Sequence, residues 1–221
     1  MANILGIDFS LNSPAWCLLT PEGSKWGSFH RTTKKIDRMM ANEASPFKIF
    51  NDDPHFIVKV IEKFKLEGEY FVIEKKKIEN FIEISEEFVG MMEPYIDSGT
   101  KIFMEGISFG SSGNSLIDIS MATALVRKRL VEIVGFQNLN IYSPTSIKKF
   151  ALKGNSKKDE LYVTLLDKYK DNKNLEPLVK ILEQNKEIWI KNNKEVETPC
   201  SDLIDATWIS LFGKHLLGET F

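Results

Sequence analysis

Apolar residues first gather in a short run, Asn3 to Phe9, where Ile4, Leu5, Ile7 and Phe9 surround Gly6 and only Asp8 is charged. A run of that length predicts a buried strand. Ala15 to Leu19 reads as a second strand, Pro21-Glu22-Gly23-Ser24 as a turn, and Trp26 to His30 as a third strand returning in a hairpin. The polar stretch that follows, with Lys34, Lys35, Asn42, Pro46, Asn51 and Pro54, reads as loop or insertion. Phe56 to Phe64 has helical spacing through Val58, Ile61 and Phe64. Glu69 to Glu74 predicts a strand, and Lys77 to Tyr95 an amphipathic helix through Ile78, Phe81, Ile82, Phe88 and Met92.

The second half is more regular. Ser98-Gly99 ends that helix, and Lys101 to Glu105 is a short strand. The Gly-rich loop Gly106 to Asn114 leads into a helix from Ser115 to Val134, followed by a strand from Asn138 to Tyr142. Ser143 caps a short helix that opens with Pro144, the preferred first helical position. A Lys-rich helix starts near Ser156, a charged stretch runs from Asp167 to Glu197, and Thr198-Pro199 opens a last helix that continues to Gly213. With no internal repeat and no low-complexity linker, residues 1–221 read as one α/β domain, early hairpin strands giving way to alternating strands and helices.

Composition narrows the classes. Of 221 residues, 43% are hydrophobic and 27% charged, which is globular rather than disordered, and the length allows a substantial core. No apolar run approaches a membrane span. The opening Met-Ala-Asn-Ile-Leu-Gly lacks the basic region of a signal peptide, so a cytoplasmic setting is expected. Two cysteines, Cys17 and Cys200, give no disulfide framework, and with three scattered His they give no zinc spacing. The net charge of −2 is not that of a nonspecific nucleic-acid coat, although a basic face can hide behind an acidic site.

Four carboxylates sit where carboxylates are costly. Asp8 interrupts an apolar strand, and unpaired burial would cost several kcal/mol, on the order given by transfer energies. Glu105 ends another apolar strand and is followed at once by Gly106. Asp202 and Asp205, three apart near a helix start, share one side of a helix whose neighbours Leu203, Ile204, Ala206, Trp208 and Ile209 are apolar. Each has an ordinary reading: a strand-edge Asp facing solvent, a strand-terminal Glu, an acidic pair favoured by the helix dipole. If they converge, they repel unless cations share them, and hard oxygen ligands suit Mg²⁺ or Mn²⁺. Two such ions about 4 Å apart are the arrangement that serves phosphodiester cleavage.

The order Gly6-Ile7-Asp8-Phe9-Ser10, then Ile102-Phe103-Met104-Glu105, then Ser143-Pro144 to Lys158, then Asp202-Leu203-Ile204-Asp205-Ala206 resembles the RuvC-type Holliday junction resolvases of the ribonuclease H-like superfamily. The opening, Leu5 to Asn12, is most similar to a divergent phage-encoded branch. The likeness touches both ends and much of 100–160; it is weak from 31 to 100, read as holding a family-specific insertion, and from 170 to 198. It implies a mixed five-stranded sheet flanked by helices, with the first strand beside the one carrying Glu105. It implies two metal ions, Mg²⁺ or Mn²⁺, held by Asp8, Glu105, Asp202 and Asp205. Asp8 would bridge both.

The resemblance also implies a branched-DNA substrate, a four-way junction, cut by a homodimer. The loop and helix from Gly106 to Ala122 would face the DNA, with Ser10, Ser111 and Asn114 in the contact set. Phe109 is the candidate for an aromatic wedge, one residue out of step with the family and equally readable as core. Lys148, Lys149, Lys153, Lys157 and Lys158 crowd one region, with only Asp159 and Glu160 opposing them. They suit phosphate contacts, or alternatively a solvated helical face capped by Ser156 and Asp159. Lys158, or else Lys157, matches the family's active-site lysine. The apolar stripe through Phe81, Ile82, Phe88, Met91 and Met92 reads as core, or as a dimer face. The rival functions are a hybrid- or flap-cutting nuclease of the same superfamily, a sugar-kinase-like or Hsp70-like ATPase, and a non-catalytic DNA-binding scaffold.

Overall fold

The computed structural model describes residues 2–42, 45–63, 65–107, 113–191 and 195–219. Three early strands form as their patterns predict: β1 (Ile4–Asp8), β2 (Ala15–Thr20) and β3 (Gly23–Arg31). They make an antiparallel meander in which Gly6 faces Cys17 and Cys17 faces Trp26. Two further strands, β5 (Lys101–Glu105) and β6 (Leu139–Tyr142), add in parallel on the other side of β1.

The sheet has six strands rather than five, in the order β4-β3-β2-β1-β5-β6. The extra one is β4 (Phe56–Ile61), where helical spacing predicts a helix. Its i, i+3 matches were accidental to a run rich in β-branched Ile57, Val58, Val60 and Ile61, which favour a pleated surface. The open side of β3 supplies the partner, pairing Trp26 with Phe56 through Arg31 with Ile61.

Side chains alternate across the sheet. Ile4, Cys17, Leu19, Trp26 and Phe103 enter one core, while Leu5, Ile7, Trp16, Leu18, Ile102 and Met104 enter the other. On the second face lie α3 (Tyr70–Met92) and α4 (Asn114–Val134), contributing Phe81, Phe88, Met92, Val126 and Leu130. The strand expected over Glu69 to Glu74 is instead the start of α3. Tyr70 and Phe71 there are 79% and 69% exposed, so these aromatic side chains pack against no sheet. Within the predicted stripe, Phe81, Phe88, Met91 and Met92 are core and only Ile82 is exposed.

The first face carries α9 (Cys200–Leu216), laid across β1, β2 and β5, together with α5 (Pro144–Ala151) and α6 (Lys158–Tyr169). Two glycines set how closely α9 approaches. A Cβ on Gly6 would sit 2.6 Å from the Ala206 carbonyl and closer still to Ser210, and one on Gly213 would strike the Phe103 ring. The Ser210 hydroxyl donates to the Cys17 carbonyl at 2.6 Å, pinning helix to sheet.

The stretch expected as loop holds two short helices, α1 (Lys34–Met40) and α2 (Pro46–Asn51). The charged stretch 167–197 holds α7 (Glu176–Gln184), α8 (Lys186–Trp189) and the short pair β7 (Ile190–Lys191) and β8 (Glu195–Val196). These two parts of the chain meet. Phe50 stacks on Trp189 with ring centroids 5.2 Å apart, and both are fully buried. Among the described residues no helix is long and apolar enough to cross a membrane.

Candidate active site

Alternation fixes where the two strand acids point. Ile4 and Gly6 of β1, and Phe103 of β5, face α9, so Asp8 and Glu105, two residues further along their strands, face it too. Register places them side by side at the ends of parallel neighbours, because Ile7 pairs with Met104 just before them. The first turns of α9 bring Asp202 and Asp205 to the same sheet end, with Asp202 buried.

Their electrostatics follow from this shared placement. Enclosure away from water lifts the Asp8 carboxyl well above its usual range, and the charges of Asp205, Glu105 and Asp202 lift it further. Burial and Asp205 push Glu105 up to about 7, opposed by Lys148 and Lys158. Burial also raises Asp205, against the pull of Lys158. Lys158 is the cation at the centre: its Nζ lies 3.3 Å from Asp202 Oδ1 and 3.2 Å from Asp205 Oδ2. Burial works against its charge, but Asp205, Asp202 and Asp8 outweigh that and hold its pKa above the ordinary lysine value.

Lys158 opens α6, and the choice between it and Lys157 falls to geometry. Lys157 stands one residue earlier, where its backbone N–H donates to Glu160. Glu160, not Asp159, closes that helix start, and the Ser156 hydroxyl bonds back to Lys153 instead of capping. Ser143 does cap α5, accepting from the Ser146 N–H.

A cleft of about 440 Å³ runs between α5, α6 and the acids, lined among others by Asp8, Glu105, Lys148, Lys157, Lys158 and Asp205. A second notch of about 170 Å³ shares Asp8 and Glu105 and is otherwise walled by Phe9, Gly106, Ile107, Ile119 and Thr123. Of the other sites expected to meet DNA, Lys149 is exposed on α5 and Lys153 pairs with Glu160 at 2.6 Å. Asn114 is exposed at the start of α4. The Ser10 hydroxyl accepts from the Ser13 N–H in the turn after β1. Phe109 and Ser111 lie outside the described residues. Three other basic groups spend their charge within the chain. Lys77 pairs with Asp118, and Arg129 and Lys128 pair with Glu132.

Sequence reasoning missed what surrounds Asp202. The Thr198 hydroxyl donates a hydrogen bond to Asp202 Oδ2, and Thr198 in turn meets His30, 168 residues away. No local signal links a strand histidine to a helix entrance at that separation.

The donor set fits a hard divalent cation: the carboxyls of Asp8, Glu105 and Asp205 stay raised despite Lys148 and Lys158, so the cluster calls for more positive charge than these lysines supply. Among the described residues, however, no three His, Cys, Asp or Glu side chains stand close enough to hold an ion as they are. Asp202 and Asp205 turn to Lys158 instead.

No family model matches the sequence, and no curated protein matches it. Among solved structures, "T. thermophilus RuvC in complex with Holliday junction substrate" matches 98% of this chain and 96% of that one, with a TM-score of 0.51 at 12% identity. "Crystal Structure of the Yeast Mitochondrial Holliday Junction Resolvase, Ydc2" matches 95% of this chain and 76% of that one, with a TM-score of 0.40 at 15% identity. The first likeness spans nearly the whole of both chains, and the fold is the ribonuclease H-like fold of RuvC.

Proposed function

We propose that the chain is a divalent-metal-dependent endonuclease that cuts branched DNA, in particular four-way junctions. The observation that carries this reading is the gathering of Asp8, Glu105, Asp202 and Asp205 at one sheet end beside a lysine-lined cleft. The full-length likeness of fold to a protein solved with a Holliday junction substrate supports it.

In this reading the four carboxylates hold two Mg²⁺ or Mn²⁺ ions, which when bound supply Lewis-acid stabilisation for charge developing on the phosphate. Lys148, Lys157 and Lys158 form the wall that neutralises and positions the phosphodiester. Water oxygen adds to phosphorus as the bond to the 3′ oxygen breaks, leaving a 5′-phosphate and a 3′-hydroxyl. Lys158, paired with Asp202 and Asp205, is the charge that ion uptake has to share. Resolution needs paired cuts, so the reading includes a two-fold pair of chains. Tyr70, Phe71, Ile78 and Ile82 are exposed apolar side chains of α3 that such a pairing would cover. It also treats residues 1–221 as one nuclease domain with an insertion within 31–100, of phage-like type, acting in a bacterial cytoplasm.

The test is cleavage of end-labelled four-way junction, flap, RNA–DNA hybrid and linear duplex, with and without Mg²⁺, by wild type and Asp8→Asn. Metal-dependent, symmetric nicks in the junction that disappear in the variant are expected. Equal cutting of flaps or hybrids keeps the site but broadens the substrate. Junction binding without cutting of anything ends the enzyme reading.

A further inference from the structure

Asp202 is the more enclosed of the two helix acids, with 8% of its side chain exposed against 18% for Asp205. Both of its oxygens are engaged. Oδ1 meets Lys158 Nζ and accepts from the Ser201 hydroxyl, each at 3.3 Å, and Oδ2 accepts from Thr198. Behind Thr198 stands His30 of β3, wholly buried, with Nδ1 3.4 Å from the Thr198 hydroxyl oxygen and Nε2 3.0 Å from the Ser28 hydroxyl. The Phe47 ring closes edge-on over the imidazole at 5.1 Å.

The chemistry of the groups gives every bond one direction. A carboxylate only accepts, so the Thr198 hydrogen goes to Asp202, which leaves the Thr198 oxygen to accept from His30 Nδ1–H. Burial, only partly countered by the Asp202 charge, drops the His30 pKa to about 4, so the ring is neutral. With its proton on Nδ1, Nε2 must accept from Ser28. Ser28 and His30 sit within a strand paired on both sides, whereas Asp202 sits in the opening turn of a helix, where the backbone is least constrained.

We propose that Thr198 and His30 are positioning residues that lock the Asp202 carboxylate to the central sheet and so set how tightly the acidic cluster takes up a divalent cation. The inference rests on the metal-dependent reading above. It has the form of an outer layer of hydrogen bonds that orients an oxygen ligand, whose loss typically weakens metal binding about 10- to 100-fold. Neither residue touches the reacting phosphate.

The test is isothermal titration of Mn²⁺ into the full metal-free chain, without DNA, for wild type, Thr198→Val, Thr198→Ser and His30→Phe, with thermal midpoints measured alongside. Thr198→Val keeps the shape and loses the hydroxyl; it should bind Mn²⁺ about tenfold more weakly while its midpoint stays near wild type. Thr198→Ser should restore binding, and a folded His30→Phe should weaken it as Thr198→Val does. Should His30→Phe not fold, the two Thr198 variants decide. Wild-type affinity in Thr198→Val, or equal weakening in Thr198→Ser, overturns the inference and leaves the metal reading standing. No uptake of Mn²⁺ by wild type overturns both.

Discussion

The two faces of the sheet are each covered by helices, yet they treat carboxylates in opposite ways. On the α3–α4 face, large side chains such as Phe81, Phe88, Met92 and Leu130 fill the space against the strands. Lys77 pairs there with Asp118 and Arg129 with Glu86, while the buried Arg31 donates to the Glu62 carbonyl and Asn80. On the α9 face, Gly6 and Gly213 let the helix approach closely, and Asp8, Asp202 and Asp205 are drawn inward. Buried charge is costly without partners. Gathering acids on the α9 face, beside Lys158 and the cleft, suits that face to the proposed chemistry, while the other face serves cohesion.

The largest effect should come from Asp8→Asn, which should lower junction cleavage on the order of a thousandfold while gel-shift binding persists. Retained cleavage would show that the α9 face is not the catalytic one. Phe88→Ala, on the opposite face, should cost about 3–5 kcal/mol in chemical denaturation, because it empties a fully buried site. A loss near zero there would break the assignment of cohesion to that face. Gly6→Ala should cost about 1–3 kcal/mol, since its Cβ meets backbone atoms of α9 that have no rotamer to give way.

A smaller effect concerns pH. Glu105 rises from 4.5 to about 7 in the fold, so between those values the folded metal-free chain holds a proton that the unfolded chain has released. Stability should therefore fall as pH rises across that window, with Asp8 and Asp205 acting in the same sense. Glu105→Gln should flatten the slope in denaturation curves taken from pH 5 to 8 (roughly the span over which the shifted carboxyl titrates). The smallest effect is Lys148→Ala, which should reduce the salt dependence of junction binding by about one unit of slope. Lys128→Ala, on the other face and already paired with Glu132, should leave it unchanged.

What was legible in the sequence is what depends on near neighbours. Strands β1, β2, β3, β5 and β6 announce themselves by apolar runs, α5 by Ser143-Pro144, and the acids by standing out from apolar surroundings. The same acids mark the site, since a charge inside an Ile-Leu-Phe run has no cheap place to go. Local pattern misled at Phe56 to Ile61 and Glu69 to Glu74, because pairing decided both. β4 became a strand by pairing along β3, whereas Tyr70 to Glu74 pairs with no strand and opens α3.

By itself, then, the sequence determined which residues are too polar for their setting and which runs prefer strand or helix. Only the tertiary structure decided that Lys158 rather than Lys157 reaches the acids, that Phe50 and Trp189 join two distant segments, and that His30 stands behind Asp202 through Thr198. Such contacts span up to 168 residues, and they exist only once the sheet and α9 have closed on Gly6. Periodicity and propensity act over a turn or a strand. Pairing, close approach and shared charge act through space.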